Sequence, residues 1–249
     1  MIKKIFNIIK YKVHSCFCPF CNGHWNKFDE HGFEFPILNE VEIVGGGKRN
    51  HVCPNCSSTD RLRMIYSYLD KETNFLNPNQ EIKVLHIAPE RLLLELFSNH
   101  KNVSYKAIDK FNHGGIIEYG DITELDFNND YFDLVICNHV LEHIEKDTLA
   151  MKEIYRVLKK NGLAILQIPY SDIIAESHED YSIQDPKLRE KHYGQDDHVR
   201  IYALKDYKQR LKDEKFDTEF LSPYKQSWSF DPSKLGLNKK ESLLLAFKR

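Results

Sequence analysis

The 249-residue chain has no apolar run approaching the roughly 18–20 residues that a bilayer-spanning helix needs, which excludes an integral helical membrane protein. It also lacks an excess of charge of one sign. Thirty-five Lys and Arg stand against 37 Asp and Glu, a formal net charge of −2, and that balance argues against a globally basic nucleic-acid binder. A secretory leader is not expected. The opening MIKKIFNIIKYKVHS carries four lysines and no acid, its apolar stretch is cut by Asn7 and Lys10, and no small-residue cleavage site follows. Residues 1–13 read as a basic helix or tail, with residues 1–12 capable at most of weak membrane-surface contact. Cytoplasmic residence is the expectation. Also missing is the G-x-G-x-x-G pattern that a pyrophosphate-binding turn requires.

What is present is enough apolar material, 41%, and aromatic material, 12%, for one large domain or one domain with an accessory module. Six cysteines sit at 16, 18, 21, 53, 56 and 137. Cys18-Pro19-Phe20-Cys21 and Cys53-Pro54-Asn55-Cys56 are two copies of one pattern: proline presets a turn, and a small residue after the second cysteine lets backbone N–H groups face the thiolates. In a reducing compartment such pairs hold metal more often than they form disulfides, and two such turns supply four sulfurs for a closed, structural zinc site. Cys16, His14, His24 and His51 lie close enough in sequence to substitute for one ligand, and Cys137 sits in an apolar run that reads as core. Residues 14–57 are therefore assigned to a zinc-binding module and 58–249 to a second, larger domain. Gly45-Gly46-Gly47, in the long spacer between the cysteine pairs, reads as a hairpin or loop tip.

Past an N-cap signal at Ser58-Thr59-Asp60, strands and helices alternate to the end. Strands are expected over 82–88, 103–108, 116–119, 132–137, 163–168, 216–221 and 242–247, and helices over 91–97, 148–158 (ended by Asn161-Gly162) and 206–212. Apolar, two-sided strands alternating with helices predict an α/β fold, a mostly parallel sheet with helices on both faces. Ligands bind such sheets at the carboxyl ends of the strands. Asp109 stands there, 23 residues after His86, close to the offset at which an acid takes ribose hydroxyls. The turn Ala88-Pro89-Glu90 supplies an acid where pyrophosphate needs glycine, so a phosphate-free nucleoside joined to an amino acid fits better. S-adenosylmethionine has that chemistry.

Here the sequence resembles the class I S-adenosylmethionine-dependent methyltransferases over about residues 80–249. The resemblance is carried by VLHIAPE (84–90), YKAID (105–109), GDITELDF (120–127), YFDLVICNHVLEHI (131–144) and VLKKNGLAILQIPY (157–170). It implies a Rossmann-like, seven-stranded sheet. It also implies that Asp109 and neighbouring Lys110 meet the ribose, that Asp121 takes the adenine amino group, and that Ile122 packs on the ring. Asn138 and His139 would then lie beneath the methionine part. The chain departs from the family in the first motif, where members carry an acid at the place of His86 and glycines at those of Ala88 and Glu90; Glu90 is assigned to the cofactor's ammonium.

The segment 171–203 is long for a connection in a compact domain and reads as a lid over an acceptor pocket. Tyr170, His178, Asp197, His198, Arg200 and Tyr202 are expected to face the acceptor, with His139 or His198 removing its proton. His139 and His143, four residues apart, could share a metal, but the sequence offers no third ligand. The acidic segment, eight acids against four bases over 171–200, disfavours nucleic acid and leaves a small-molecule, glycan or lipid-head-group acceptor as the leading expectation. An RNA methyltransferase clamping its substrate with the cysteine module, or a non-catalytic binding protein on the same fold, are the alternatives.

Overall fold

The computed structural model describes residues 15–76, 81–111 and 114–249. The amino-terminal basic segment, His14 and the Asn77–Gln80 break lie outside the described residues. Two small antiparallel hairpins come first, β1 (Cys16–Cys18) with β2 (Gly23–Trp25), and β3 (Asp29–His31) with β4 (Arg49–Val52). Between β3 and β4 runs the short helix α1 (Pro36–Glu40). Helix α2 (Asp60–Lys71) follows, capped as expected: the Thr59 hydroxyl accepts from the backbone N–H of Leu62 at 3.3 Å.

The main sheet has seven strands: β5 (Ile82–Ile87), β6 (Val103–Asp109), β7 (Ile117–Tyr119), β8 (Phe132–Cys137), β9 (Leu158–Ile165), β13 (Asp217–Leu221) and β14 (Leu243–Phe247). Their order is β13-β14-β9-β8-β5-β6-β7, parallel from β9 through β7, with β14 antiparallel to both neighbours. The strand alternation explains the continuous apolar runs. Leu85, Ile87, Val135 and Cys137 point to the layer holding α4 (Asp147–Val157) and α6 (Leu204–Asp213). Ile82, Val84, Leu134 and Ile136 point to α2 and α3 (Arg91–Ser98). Both faces are covered, so neither register nor side of the sheet is free to slip.

The 171–203 segment is itself structured. β10 (Tyr170–Ser171), β11 (His178–Glu179) and β12 (Arg200–Ala203) form a three-stranded sheet in the order β10-β12-β11. It is interrupted by α5 (Pro186–Tyr193), which begins at an Asp185 cap and ends at left-handed Gly194. A Cβ at 194 would stand 2.3 Å from Leu38 Cδ2, so glycine is needed there both for its φ of 79° and for the approach to α1.

Two local expectations need correction. The helix before β9 stops at Val157, not at Asn161-Gly162. Leu158 already pairs with Phe132, and Asn161, at φ 62°, forms an irregularity inside the strand. Tertiary pairing wins over helix propensity here because Lys248 supplies donors to the helix end: its Nζ reaches the Tyr155 carbonyl at 2.9 Å. The Gly45–Gly47 stretch is no loop tip. Gly45 is buried against Glu241, and Val44 bridges to Tyr170 by two backbone hydrogen bonds of 2.7 and 3.0 Å.

Candidate functional site

The cysteine pairs meet. Cys18 Sγ lies 3.5 Å from Cys56 Sγ and Cys21 Sγ 3.7 Å from Cys53 Sγ, and all four sulfurs fall within 4.8 Å of one another. Those spacings are too long for disulfides and close to the ~3.8 Å edge of a tetrahedron with zinc–sulfur bonds of about 2.3 Å. The residue after each second cysteine, Asn22 at φ 53° and Ser57 at φ 62°, is left-handed, which closes each turn over its sulfurs. The donor set fits a closed zinc site with no position left for substrate. Cys16 and Cys137 stand outside the cluster, Cys137 fully buried under the sheet.

At the carboxyl ends of β5, β6 and β8 lies a cavity of about 360 Å³. Ala88, Asp109, Lys110, Asp121, Ile122 and His139 line it, together with Phe111, His143 and Asp197. The sheet order places them: β5 and β6 end side by side, and the β8 end delivers residues 138–143. Asp109 Oδ1 is oriented by the Phe111 N–H at 2.9 Å. Asp121 Oδ1 accepts from the Thr123 hydroxyl (2.7 Å) and N–H (2.8 Å), which hold its carboxyl below the usual range. Two non-glycine residues on the wall are left-handed, Ala88 at φ 48° and His139 at φ 53°. Backbone strain of this kind is characteristic of functional sites.

His86, Glu90 and Asn138 do not line the cavity. They form a chain beneath it: Tyr105 hydroxyl to His86 Nδ1 at 3.0 Å, His86 Nε2 to Glu90 Oε2 at 2.9 Å, and Asn138 Nδ2 to Glu90 Oε1 at 3.2 Å. Burial would raise the Glu90 carboxyl, but the His86 hydrogen bond holds it below its ordinary value. Glu90, four residues past His86, is thus tied back to the strand by that histidine.

A second cavity, about 370 Å³, adjoins the first. It lies between the glycine loop of the cysteine segment and the 193–201 stretch, and His139 and His143 belong to the walls of both cavities. Arg61, Glu142 and His198 complete its inner end. Arg61 Nη1 lies 2.7 Å from His139 Nε2, so that nitrogen accepts; burial and the Arg61 charge hold the imidazole neutral, well below its ordinary pKa. Glu142 is fully buried with neither oxygen hydrogen-bonded, His139 Nδ1 standing 3.4 Å from its Oε1, and burial pushes its carboxyl up to about 7. His143 pairs with Asp197 at 3.2 Å, and His198 stacks edge-on against His143 at 4.7 Å between ring centroids.

Of the expected acceptor-facing residues, His198 lies on the wall of this cavity and Asp197 on that of the first. Tyr170 and Tyr202 do not reach either cavity: both are fully buried, Tyr170 donating to the Lys240 carbonyl and Tyr202 to Asp147 at 2.6 Å. His178 lies on β11, packed against the rings of His192 and Tyr193, and lines neither cavity. Arg200 borders the second cavity but offers it nothing. Its N–H groups go to Glu179, the carbonyls of Leu141, Ile144 and Glu145, and the Tyr181 hydroxyl. Sequence reasoning missed Arg61 and the burial of Glu142 without a hydrogen bond to its oxygens. Nothing in a helix-start Asp-Arg or a Glu-His pair announces which way those side chains turn.

The methyltransferase-domain family matches residues 92–166. The match begins just past the 84–90 turn, where the chain departs from the family pattern, and it covers Asp109, Asp121 and the 138–143 stretch. Two polyketide synthases of Dictyostelium discoideum are similar in sequence, probable polyketide synthase 10 (26% identical over 150 residues) and probable polyketide synthase 13 (27% over 157 residues). Each alignment covers 57% of this chain and only 6% and 5% of those relatives, so the chain spans a small fraction of their length. Among solved structures, YcgJ of Bacillus subtilis is 18% identical, with 56% of this chain and 64% of that one covered and a TM-score of 0.41. An S-adenosylmethionine-dependent methyltransferase from Archaeoglobus fulgidus is 17% identical, with 75% and 90% covered and a TM-score of 0.46. The chain thus carries a match to the methyltransferase domain over residues 92–166, the stretch that holds β6 to β9 of the sheet.

Proposed function

We propose that the chain transfers a methyl group from S-adenosylmethionine to a small-molecule, glycan or lipid-head-group acceptor. The observation that carries this reading is the pair of adjoining cavities that share His139 and His143, one of them lined by strand-end acids. In the first cavity Asp109 takes the ribose hydroxyls, with Lys110 beside it, Asp121 takes the adenine amino group and Ile122 supports the ring. Two carboxylate oxygens suit a vicinal diol because they accept from both hydroxyls. Ala88 brings its backbone close at the methionine end. Glu90, held by His86 and Asn138, sets a negative potential beneath the ammonium.

When bound, S-adenosylmethionine supplies a methyl group on a positively charged sulfur. The chain's own residues orient the two reactants and exclude water, which accounts for much of the acceleration of an in-line displacement. His139 Nε2 is engaged by Arg61, which leaves Glu142, His143 and His198 as the polar groups that face the acceptor. The four thiolates hold a structural zinc that braces the segment from which the glycine loop is built.

Calorimetric titration of S-adenosylmethionine tests the reading. Asp109→Ala is expected to weaken binding by about 10²-fold, the loss of two charge-assisted hydrogen bonds. Unchanged affinity in that variant, with its fold intact, would remove the cofactor cavity from consideration.

A further inference from the structure

We propose that the inner end of the acceptor cavity is a second metal site, in which Glu142, His143 and His198 bind a divalent transition cation that holds a hydroxyl oxygen of the acceptor. One ligand atom from each of the three lies within 4.8 Å of the others. Three donors at about 2.0–2.2 Å from one ion stand ~3.3–3.8 Å apart, so closure draws the ligand atoms together by at most about 1.5 Å.

Three independent features point the same way. Glu142 is 0% exposed and borders the cavity; neither oxygen makes a hydrogen bond, and the Nδ1 of His139, a neutral ring, stands 3.4 Å from Oε1. A buried carboxylate left so is costly unless something cationic meets it. His143 gives Nδ1 to Asp197 at 3.2 Å, leaving its other ring nitrogen to ligate. A carboxylate behind a ligating imidazole is the outer support that metal-binding histidines carry. Finally, the cavity leaves coordination positions open, as a closed four-sulfur site does not. Arg61 does not fill the place: its Nη1 is directed at His139 Nε2.

Two imidazoles and one carboxylate select zinc, iron(II) or manganese(II) over calcium or magnesium, which prefer all-oxygen shells. An ion there would lower the pKa of a bound hydroxyl. The hydroxyl proton passes to water, the oxygen forms the new C–O bond, and the S–C bond breaks with its electron pair returning to sulfur. This role rests on the methyltransferase reading, but the binding site does not.

The test is a calorimetric titration of the full chain, its thiolate-bound zinc retained, with Zn²⁺ and separately with Mn²⁺, which thiolates bind poorly. One further equivalent is expected in the wild type. It should weaken at least 100-fold in Glu142→Gln and His198→Ala, and about 10–100-fold in Asp197→Asn, which disturbs only the outer support. Circular dichroism confirms the fold of each variant. If no equivalent binds beyond the thiolate centre, or if Glu142→Gln binds as tightly as the wild type, the site is refuted. S-adenosylmethionine affinity measured on the same samples separates the two proposals: an ion without cofactor binding overturns the proposed function alone, and cofactor binding without an ion overturns the metal site alone.

Discussion

Arg200 shows how far apart a residue's chemistry and its use can lie. In the sequence it sits in an acidic segment beside His198 and Asp197 and invites reading as a substrate contact. In the fold it is fully buried, its guanidinium joining β11, through Glu179, to the turn that carries Glu142 and His143. Its role is positioning. Truncating one partner of a buried, hydrogen-bonded ion pair strands the other, so Arg200→Ala is expected to lower stability by about 3–5 kcal/mol, read from the midpoint of urea unfolding. A loss below 1 kcal/mol would mean that the network carries no weight. The strand-end acids Asp109 and Asp121 and the four cysteines were legible because their spacing alone brings them together. Arg61 and Glu142 were not, because their meaning lies in which way a buried side chain turns after two distant segments have packed.

At the scale of elements, the three-stranded sheet over the acceptor side is held by one carboxylate. Burial alone would raise the Glu179 pKa, but hydrogen bonds from Arg210 and Arg200, 2.8 and 2.7 Å long, bring it down to about 2. A carboxyl with a depressed folded-state pKa contributes stability above its unfolded value and loses it as pH falls through the folded value. This network should therefore weaken from about pH 4.5 down to about pH 2, by roughly 3 kcal/mol in total for Glu179. Glu179→Gln should flatten that part of the stability curve, measured as the thermal midpoint against pH. An unaltered acid limb in the variant would show that Glu179 is not its source. The same scale shows why element types were readable and some ends were not. The apolar period of β5, β8 and β14 reports two-sided burial directly. The start of β9 at Leu158 depends on Phe132 in the next strand and on Lys248 near the chain's end, neither of which a local window contains. Gly45 likewise signals a turn by its composition but is buried by contact with Glu241, almost two hundred residues on.

Across the whole molecule, the cysteine segment does not hang beside the larger domain but is bolted through it. Arg63 of α2 is 0% exposed, and it donates to the carbonyl of His51 in the cysteine segment (3.0 Å), to that of Ser58 and to that of Leu235 (2.8 Å), its guanidinium lying 3.6 Å over the Phe28 ring. Arg49 joins Asp60 and Glu241, and Val44 pairs with Tyr170 at the entrance to the small sheet. The cluster around the sulfurs is thin, with only Cys18, Phe28 and Cys53 buried in it, while Val44 belongs to the core of the larger domain, so the order of the segment depends on whatever draws the four sulfurs together. Stripping the metal with a strong chelator, or replacing Cys56 with Ser, should therefore do more than loosen the first forty residues. The glycine loop and Arg61 should lose their seat, the acceptor cavity should open, and calorimetric unfolding should remain one transition moved to lower temperature. If chelation instead produces two separate transitions, the larger one at the temperature of the metal-loaded protein, the segment is an independent appendage and the acceptor cavity must be completed by some other part of the chain.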